Sequence, residues 1–195
     1  MEKRMDKVFR ERSITDEGFE GLYPNPLLVE IVSGGMAPQG RALSLHCGTG
    51  SDSLYLAQEG YAVAAAGFSP EDVEQVSRMA EEARAKVIAF TVEPTQLPFH
   101  EGEFDFIADT GCIHSMDERR RGAMLRELHR TLRRGGRLFT VLPSLKDNPQ
   151  GVTRSSIEGM FHPPFEIVQV VDAPVMDKSG KRGHLYYYSI LLEKV

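Results

Sequence analysis

Residues 41 to 59 leave the backbone few options. Arg41 to His46 is a short apolar run, it breaks on Gly48-Thr49-Gly50, and Ser51 to Glu59 then carries a helical pattern that stops at Gly60. A strand that turns through glycines straight into a helix is the first half of a βαβ unit, and such units build parallel sheets. The pattern continues. Tyr61 to Ala66 reads as a buried strand stopped by Gly67. Ser69-Pro70-Glu71-Asp72 supplies a hydroxyl cap, a proline in the first turn and two acids, which starts a helix running to about Ala85. Lys86 to Val92 and Phe104 to Asp109 read as strands, Asp117 to Leu132 as a helix closed by Gly135-Gly136, and Arg137 to Leu142 as a fifth strand. Before all of these, Leu27 to Val32 follows Pro24-Asn25-Pro26 and reads as an amphipathic helix ending near Gly34-Gly35. Five apolar strands separated by helices imply a parallel sheet with helices on both faces and right-handed crossovers.

The C-terminus breaks the pattern. Phe165 to Val171 and His184 to Leu192 are strand-like, and the loop Asp172 to Gly183 between them has no helical signal. Two strands joined by a loop form an antiparallel hairpin. The expected fold class is therefore α/β, a Rossmann-like doubly wound sheet of seven strands in which only the last is antiparallel.

Bulk properties narrow the function. The 195 residues suit one domain, with residues 1–21 as a polar arm or short lid. The net charge of −5 lacks the basic excess that binding a phosphate backbone demands, so no nucleic-acid partner is expected. Arg119-Arg120-Arg121 and Arg133-Arg134 read as solvated parts of one helix and its C-terminal turn. Two cysteines, Cys47 and Cys112, indicate a reducing compartment and small packed residues, not a disulfide scaffold. The N-terminus is charged with no apolar stretch after it, and no run is long enough to span a bilayer, so no membrane partner and a cytoplasmic location are expected.

In open α/β sheets ligands sit beyond the carboxyl ends of the strands, where strand order reverses. Ser44-Leu45-His46-Cys47-Gly48-Thr49-Gly50 delivers the chain to that position. A dinucleotide would ask for a third glycine where Ser53 stands, and for an acid about 20 residues on, where the second strand ends in Gly67-Phe68. That class is disfavoured twice.

The segment Ala42 to Leu142 resembles the core of small class I S-adenosylmethionine-dependent methyltransferases. The glycine loop is similar to the family's first motif. Gln96-Leu97-Pro98-Phe99 followed by Glu103-Phe104-Asp105-Phe106 resembles the approach to its fourth strand. Asp109-Thr110-Gly111-Cys112-Ile113-His114 resembles the end of that strand in enzymes of the thiopurine and tellurite methyltransferase type. Leu132-Arg133-Arg134-Gly135-Gly136-Arg137-Leu138 is similar to the lead-in to its fifth strand, and Tyr23-Pro24-Asn25-Pro26 to its N-terminal helix. The resemblance spans Gly18 to Val195. It implies S-adenosylmethionine as cofactor, held by Ser44, His46, Gly48, Thr49, Gly50, Gly67, Phe68, Glu93, Pro94, Asp109 and Thr110. Phe68 would stack on the adenine and Glu93 would stand on its edge. The chain departs from the family at three of these positions. Ser44 replaces an acid at the end of the first strand, His46 replaces the first glycine, and Gly67 replaces the acid that holds the ribose hydroxyls.

Asp109 and His114 are the candidate catalytic residues. Asp109 could hold substrate or the cofactor's ammonium group, or it could cap the loop after its strand. His114 could act as a base or merely line the site. Methyl transfer to sulfur, or to an already basic nitrogen, rests mainly on positioning. No metal is expected: His46, His100, His129, His162 and His184 show no ligand spacing. A metalloid site on the two cysteines is the lesser reading. Tyr186-Tyr187-Tyr188 lies in a predicted strand, so its rings should alternate between core and surface. Two functions follow. One is methyl transfer to a small-molecule acceptor. The alternative is a methyltransferase-like protein that has lost catalysis and serves as a ligand-binding or interaction subunit.

Overall fold

The computed structural model describes residues 23–45, 49–146, 148–175 and 185–195. The proposed arm over residues 1–21 lies outside them. Seven strands form one sheet in the order β3-β2-β1-β4-β5-β7-β6: β1 Arg41–Leu45, β2 Ala62–Gly67, β3 Val87–Thr91, β4 Phe104–Asp109, β5 Leu132–Pro143, β6 Phe165–Val175 and β7 Leu185–Lys194. Every neighbouring pair among β1 to β5 is parallel, and β7 runs antiparallel to both β5 and β6. This is the mixed seven-stranded sheet the sequence predicts. Helices cover both faces: α1 Pro26–Ser33, α2 Ser51–Gln58 and α3 Pro70–Ala83 on one, α4 Cys112–Ser115, α5 Glu118–Thr131 and α6 Arg154–Phe161 on the other.

Alternation along the strands feeds two cores. Leu43, Leu45, Ile107, Leu138 and Leu142 pack under α5 and α6, while Ala42, Val63, Phe106, Phe139 and Val141 pack under α1 and α2. Because both faces are covered, Tyr188 is buried in the first core and Tyr187, expected at the surface, is half-buried against the second. Tyr186 lies under the Lys146 ammonium, 5.0 Å from the ring centre.

Caps explain the helix starts. Ser69 Oγ accepts from the Asp72 N–H while Asp72 accepts from the Ser69 N–H, a reciprocal box that begins α3. Asn25 Oδ1 accepts from the Leu27 N–H ahead of α1, with Pro26 in the first turn.

Four features differ from the sequence reading. No helix joins β3 to β4. The connection over 92–103 is held by α5 instead: Glu127 accepts from the Leu97 N–H at 2.8 Å, and Arg130 donates to the carbonyls of Phe99 at 2.7 Å and Leu97 at 3.0 Å. Gly135-Gly136 does not close α5 but lies inside β5. Leu132 already pairs with Phe104, and the ladder shifts register before Arg137 pairs with Phe106. The carbonyls of His129 and Leu132 at the end of α5 are satisfied from β7 by Lys194 Nζ, at 2.8 and 2.9 Å. β6 continues past Val171 to Val175, into the predicted loop. The short helix α6, capped by Thr153 and anchored by buried Ile157 and Phe161, has only one turn of apolar spacing to announce it.

Candidate functional site

Strand order reverses between β1 and β4, so the chain leaves the sheet in diverging directions there and opens a crevice. The register shows which residues line its rim. Leu45, the last residue of β1, is level with Ala66 of β2 on one side and Asp109 of β4 on the other, and Asp109 is level with Thr140 of β5. Gly67, Thr49 and Thr110 therefore lie just beyond the same edge.

The glycine turn enters α2 through Gly50, whose φ of 83° is left-handed. A β-carbon there would stand 3.1 Å from Val76 Cγ2. Only glycine meets both conditions cheaply. The hydroxyls of Thr49 and Ser51 lie 3.0 Å apart across the turn. His46 and Gly48 lie outside the described residues. Ser44 is buried on the α1–α2 face, level with Ala65 and Ala108, in a layer of small side chains.

On the β2 side, the Gly67 carbonyl accepts from the Val92 N–H at 2.9 Å, which brings Glu93 and Pro94 beside Gly67 and Phe68 as the chain leaves β3. Glu93 is exposed, and its carbonyl closes a turn with the Gln96 N–H at 3.0 Å. Phe68 is half-buried against the core, and its N–H donates to Asp72 at 3.3 Å, so the α3 cap fixes its backbone.

On the β4 side, Asp109 is fully buried. Its carboxylate accepts from the N–H groups of Gly111, Cys112 and Ile113 at 3.4, 2.7 and 3.3 Å, and from the Thr140 hydroxyl at 2.6 Å. Burial pushes its pKa up, and those hydrogen bonds pull against the rise. The side chain caps α4 from beneath, which is the capping role that the sequence left open beside the ligand role. His114 is exposed on α4, and its Cε1 lies 3.7 Å from where a β-carbon on Gly111 would stand. Cys112 is buried, and desolvation followed by the neighbouring Asp109 charge makes its thiol reluctant to ionise.

Sequence reasoning missed Asp52. An acid in the first turn of α2 reads as an ordinary complement to the helix dipole. In the structure its carboxylate leaves the helix. Oδ1 accepts from the Asn25 N–H at 2.7 Å, and Oδ2 accepts from the Thr110 hydroxyl at 2.7 Å across the crevice. Burial raises its pKa, opposed by the bonds from Asn25 and Thr110. Among the described residues neither Asp52 nor Asp109 has a lysine, arginine or histidine partner. The described buried side-chain atoms without a hydrogen-bond partner are Asn25 Nδ2 and Ser53 Oγ, and they belong to residues beside this carboxylate.

A glycine turn beside a crevice at the switch point is where Rossmann-like sheets hold their ligands. Residues 42–136 match the methyltransferase-domain family model. The chain is 27% identical over 161 residues to a probable thiol methyltransferase 2 of Arabidopsis thaliana, covering 76% of this chain and 69% of the relative. It spans less than half of two other curated methyltransferase relatives, 46% and 39% of their lengths. A structure described for the conversion of a disulfide bond into a thioacetal group during echinomycin biosynthesis superposes with a TM-score of 0.79, at 20% identity, covering 100% of this chain and 93% of that one. The 1,6-didemethyltoxoflavin-N1-methyltransferase of Burkholderia thailandensis, solved with 1,6-didemethyltoxoflavin and S-adenosylhomocysteine, gives 0.72 at 19% identity, covering 88% and 77%. Residues 42–136 are thus similar to a methyltransferase domain, and the fold is that of solved S-adenosylmethionine-dependent methyltransferases.

The residues present fit S-adenosylmethionine in two respects: among the described residues the half-buried carboxylate of Asp52 and the buried one of Asp109 have no cationic partner, and buried polar atoms of Asn25 and Ser53 lack partners. β2 ends at Gly67 and so offers no carboxylate there for a charge-assisted contact.

Proposed function

We propose that this chain transfers the methyl group of S-adenosylmethionine to a small-molecule acceptor, and that a thiol is the acceptor class. One observation carries the reading. Thr49-Gly50, Gly67-Phe68, Glu93-Pro94 and Asp109-Thr110 leave four strands at one edge, on both sides of the switch point. In this reading the backbone of the glycine turn meets the methionine end of the cofactor. Phe68 stacks on the adenine, and Glu93 stands at its edge. Asp109 holds the α4 turn and with it His114, the residue placed to meet the acceptor. S-adenosylmethionine carries a sulfonium and an ammonium cation, and the Asp52 carboxylate beside the glycine turn, with no cationic partner among the described residues, complements positive charge.

In the transfer, an acceptor lone pair forms the new bond to the methyl carbon as the carbon–sulfonium bond breaks. That electron pair returns to the cofactor sulfur, and the acceptor's proton leaves to water or His114. A thiolate is populated near neutral pH and needs no strong base. This matches a site whose aspartate is already committed to its own loop, and the similarity to a probable thiol methyltransferase points the same way.

Calorimetric titration with S-adenosylmethionine and S-adenosylhomocysteine, followed by incubation with a panel of small thiols and heteroaromatic amines, tests the proposal. Cofactor binding with mass-spectrometric methylation of a thiol is the expected result. Methylation confined to the amines would overturn the acceptor class. A protein that binds neither nucleoside would overturn the enzymatic reading and leave an interaction subunit in its place.

A further inference from the structure

Three segments meet at Asp52. α2 contributes the carboxylate one residue beyond the Thr49–Ser51 turn, the cap residue before α1 contributes the Asn25 backbone N–H, and the loop after β4 contributes the Thr110 hydroxyl. The contact with Thr110 crosses the switch point just beyond Leu45 and Asp109, the last pair of the β1–β4 ladder, and joins the two turns that follow it. The contact with Asn25 adds the lead-in to α1, whose own side chain is committed to Leu27. Each carboxylate oxygen takes one partner at 2.7 Å. A surface contact would be replaceable by water, but Asp52 is half-buried and Asn25 is 3% exposed.

From this fork we infer that Asp52 is a positioning residue for the methyl-donor site: it sets the width of the crevice by holding the glycine turn, the α1 lead-in and the β4 exit at fixed separations. The inference rests on the cofactor reading above and deepens it. Asp52 acts through Thr110 and Asn25. It orders two loops before the cofactor arrives, so that binding does not have to order them. Thr110 is held with its hydroxyl turned to Asp52, which also fixes the start of the turn that carries Asp109 and His114.

The test is the affinity for S-adenosylhomocysteine, measured by calorimetry well below each variant's melting temperature. Asp52→Ala should weaken binding at least about tenfold, and Thr110→Val, which keeps shape and loses only the hydroxyl, should weaken it in the same direction. The double variant should be no worse than Asp52→Ala alone, because the two groups form one contact. Asp52→Asn should recover affinity to within about threefold of wild type, since an amide oxygen can accept from Asn25 while its N–H donates to the threonine oxygen. Thr110→Ser should recover in the same way. A purely structural role predicts lower melting temperatures with unchanged affinity. Unchanged affinity in Thr110→Val, or additive losses in the double variant, would overturn the proposal. These arms stand even where Asp52→Ala fails to fold. A wild type that binds no S-adenosylhomocysteine would instead overturn the cofactor reading and this inference with it.

Discussion

The two edges of the parallel sheet treat their acids in opposite ways. At the amino edge, Asp105 accepts from the Arg133 side chain and from the Arg41 N–H at 2.8 Å, Glu103 pairs with Arg41 at 2.6 Å, and Arg137 pairs with Glu193 at 3.0 Å. At the carboxyl edge, Asp109 is buried and Asp52 half-buried, and among the described residues both are held only by N–H groups and hydroxyls. Asp105 and Asp109 belong to one six-residue strand. Burial lifts the Asp105 carboxyl, but bonds and charge from Arg133 and Arg41 more than offset this and hold it below the usual range. Burial dominates at Asp109 and holds it above that range. Charge at the amino edge is spent on joining strands. At the carboxyl edge the acids instead hold loops, through N–H groups and hydroxyls.

The largest effect should come from breaking the desolvated edge. Asp109→Ala strips the acceptor from three buried N–H groups and a buried hydroxyl. It should lower the unfolding free energy by about 3 kcal/mol, read from urea denaturation. Asp109→Asn should cost less, because it retains one acceptor oxygen. Gly50→Ala should follow. A left-handed φ and a 3.1 Å approach to Val76 together cost about 1–2 kcal/mol, and cofactor affinity should fall with stability. A loss below about 0.5 kcal/mol would show that the turn relaxes easily.

Gly67→Asp tests the same edge from the opposite direction, by adding charge where the family pattern has it. Gly67 does not have a positive φ, so aspartate is conformationally allowed. Affinity for S-adenosylmethionine should rise about tenfold, a gain of 1.4 kcal/mol. No gain would mean that the ribose is held elsewhere.

The amino edge should be the more forgiving. Arg133→Ala should cost within about 1 kcal/mol, because its side chain is 44% exposed and solvent screens the pair. The pH dependence sharpens the contrast. Asp105 has a folded pKa below its unfolded one, so its contribution is present at neutral pH and is lost as pH falls through the lowered value. Asp109 has a raised folded pKa, so its contribution is fullest in acid and declines as pH rises through the raised value. Unfolding across acidic pH should therefore become less steep in Asp105→Asn and steeper in Asp109→Asn. Equal slopes in the two variants would remove the distinction between the edges.

Much of this was legible in the residues. Glycines at 48 and 50 between an apolar run and a helix announced the first βα unit, and two strand-like runs with no helical signal between 172 and 183 announced the hairpin. Ser69 and Asp72 announced α3, because capping is decided by neighbours in sequence. These features are local, and so their amino acids suffice. What the tertiary structure alone decided involves partners far apart in the chain. Asp52 meets Thr110 across 58 residues and Asn25 across 27, while Asp109 is tied to Thr140 across 31. The loop over 92–103 does without a helix because Glu127 and Arg130 satisfy its backbone from α5. A carboxylate's partner, and hence whether it joins strands, caps a turn or frames a ligand, depends on which groups the folded sheet places within hydrogen-bonding distance, and hydrophobic periodicity carries no record of that choice.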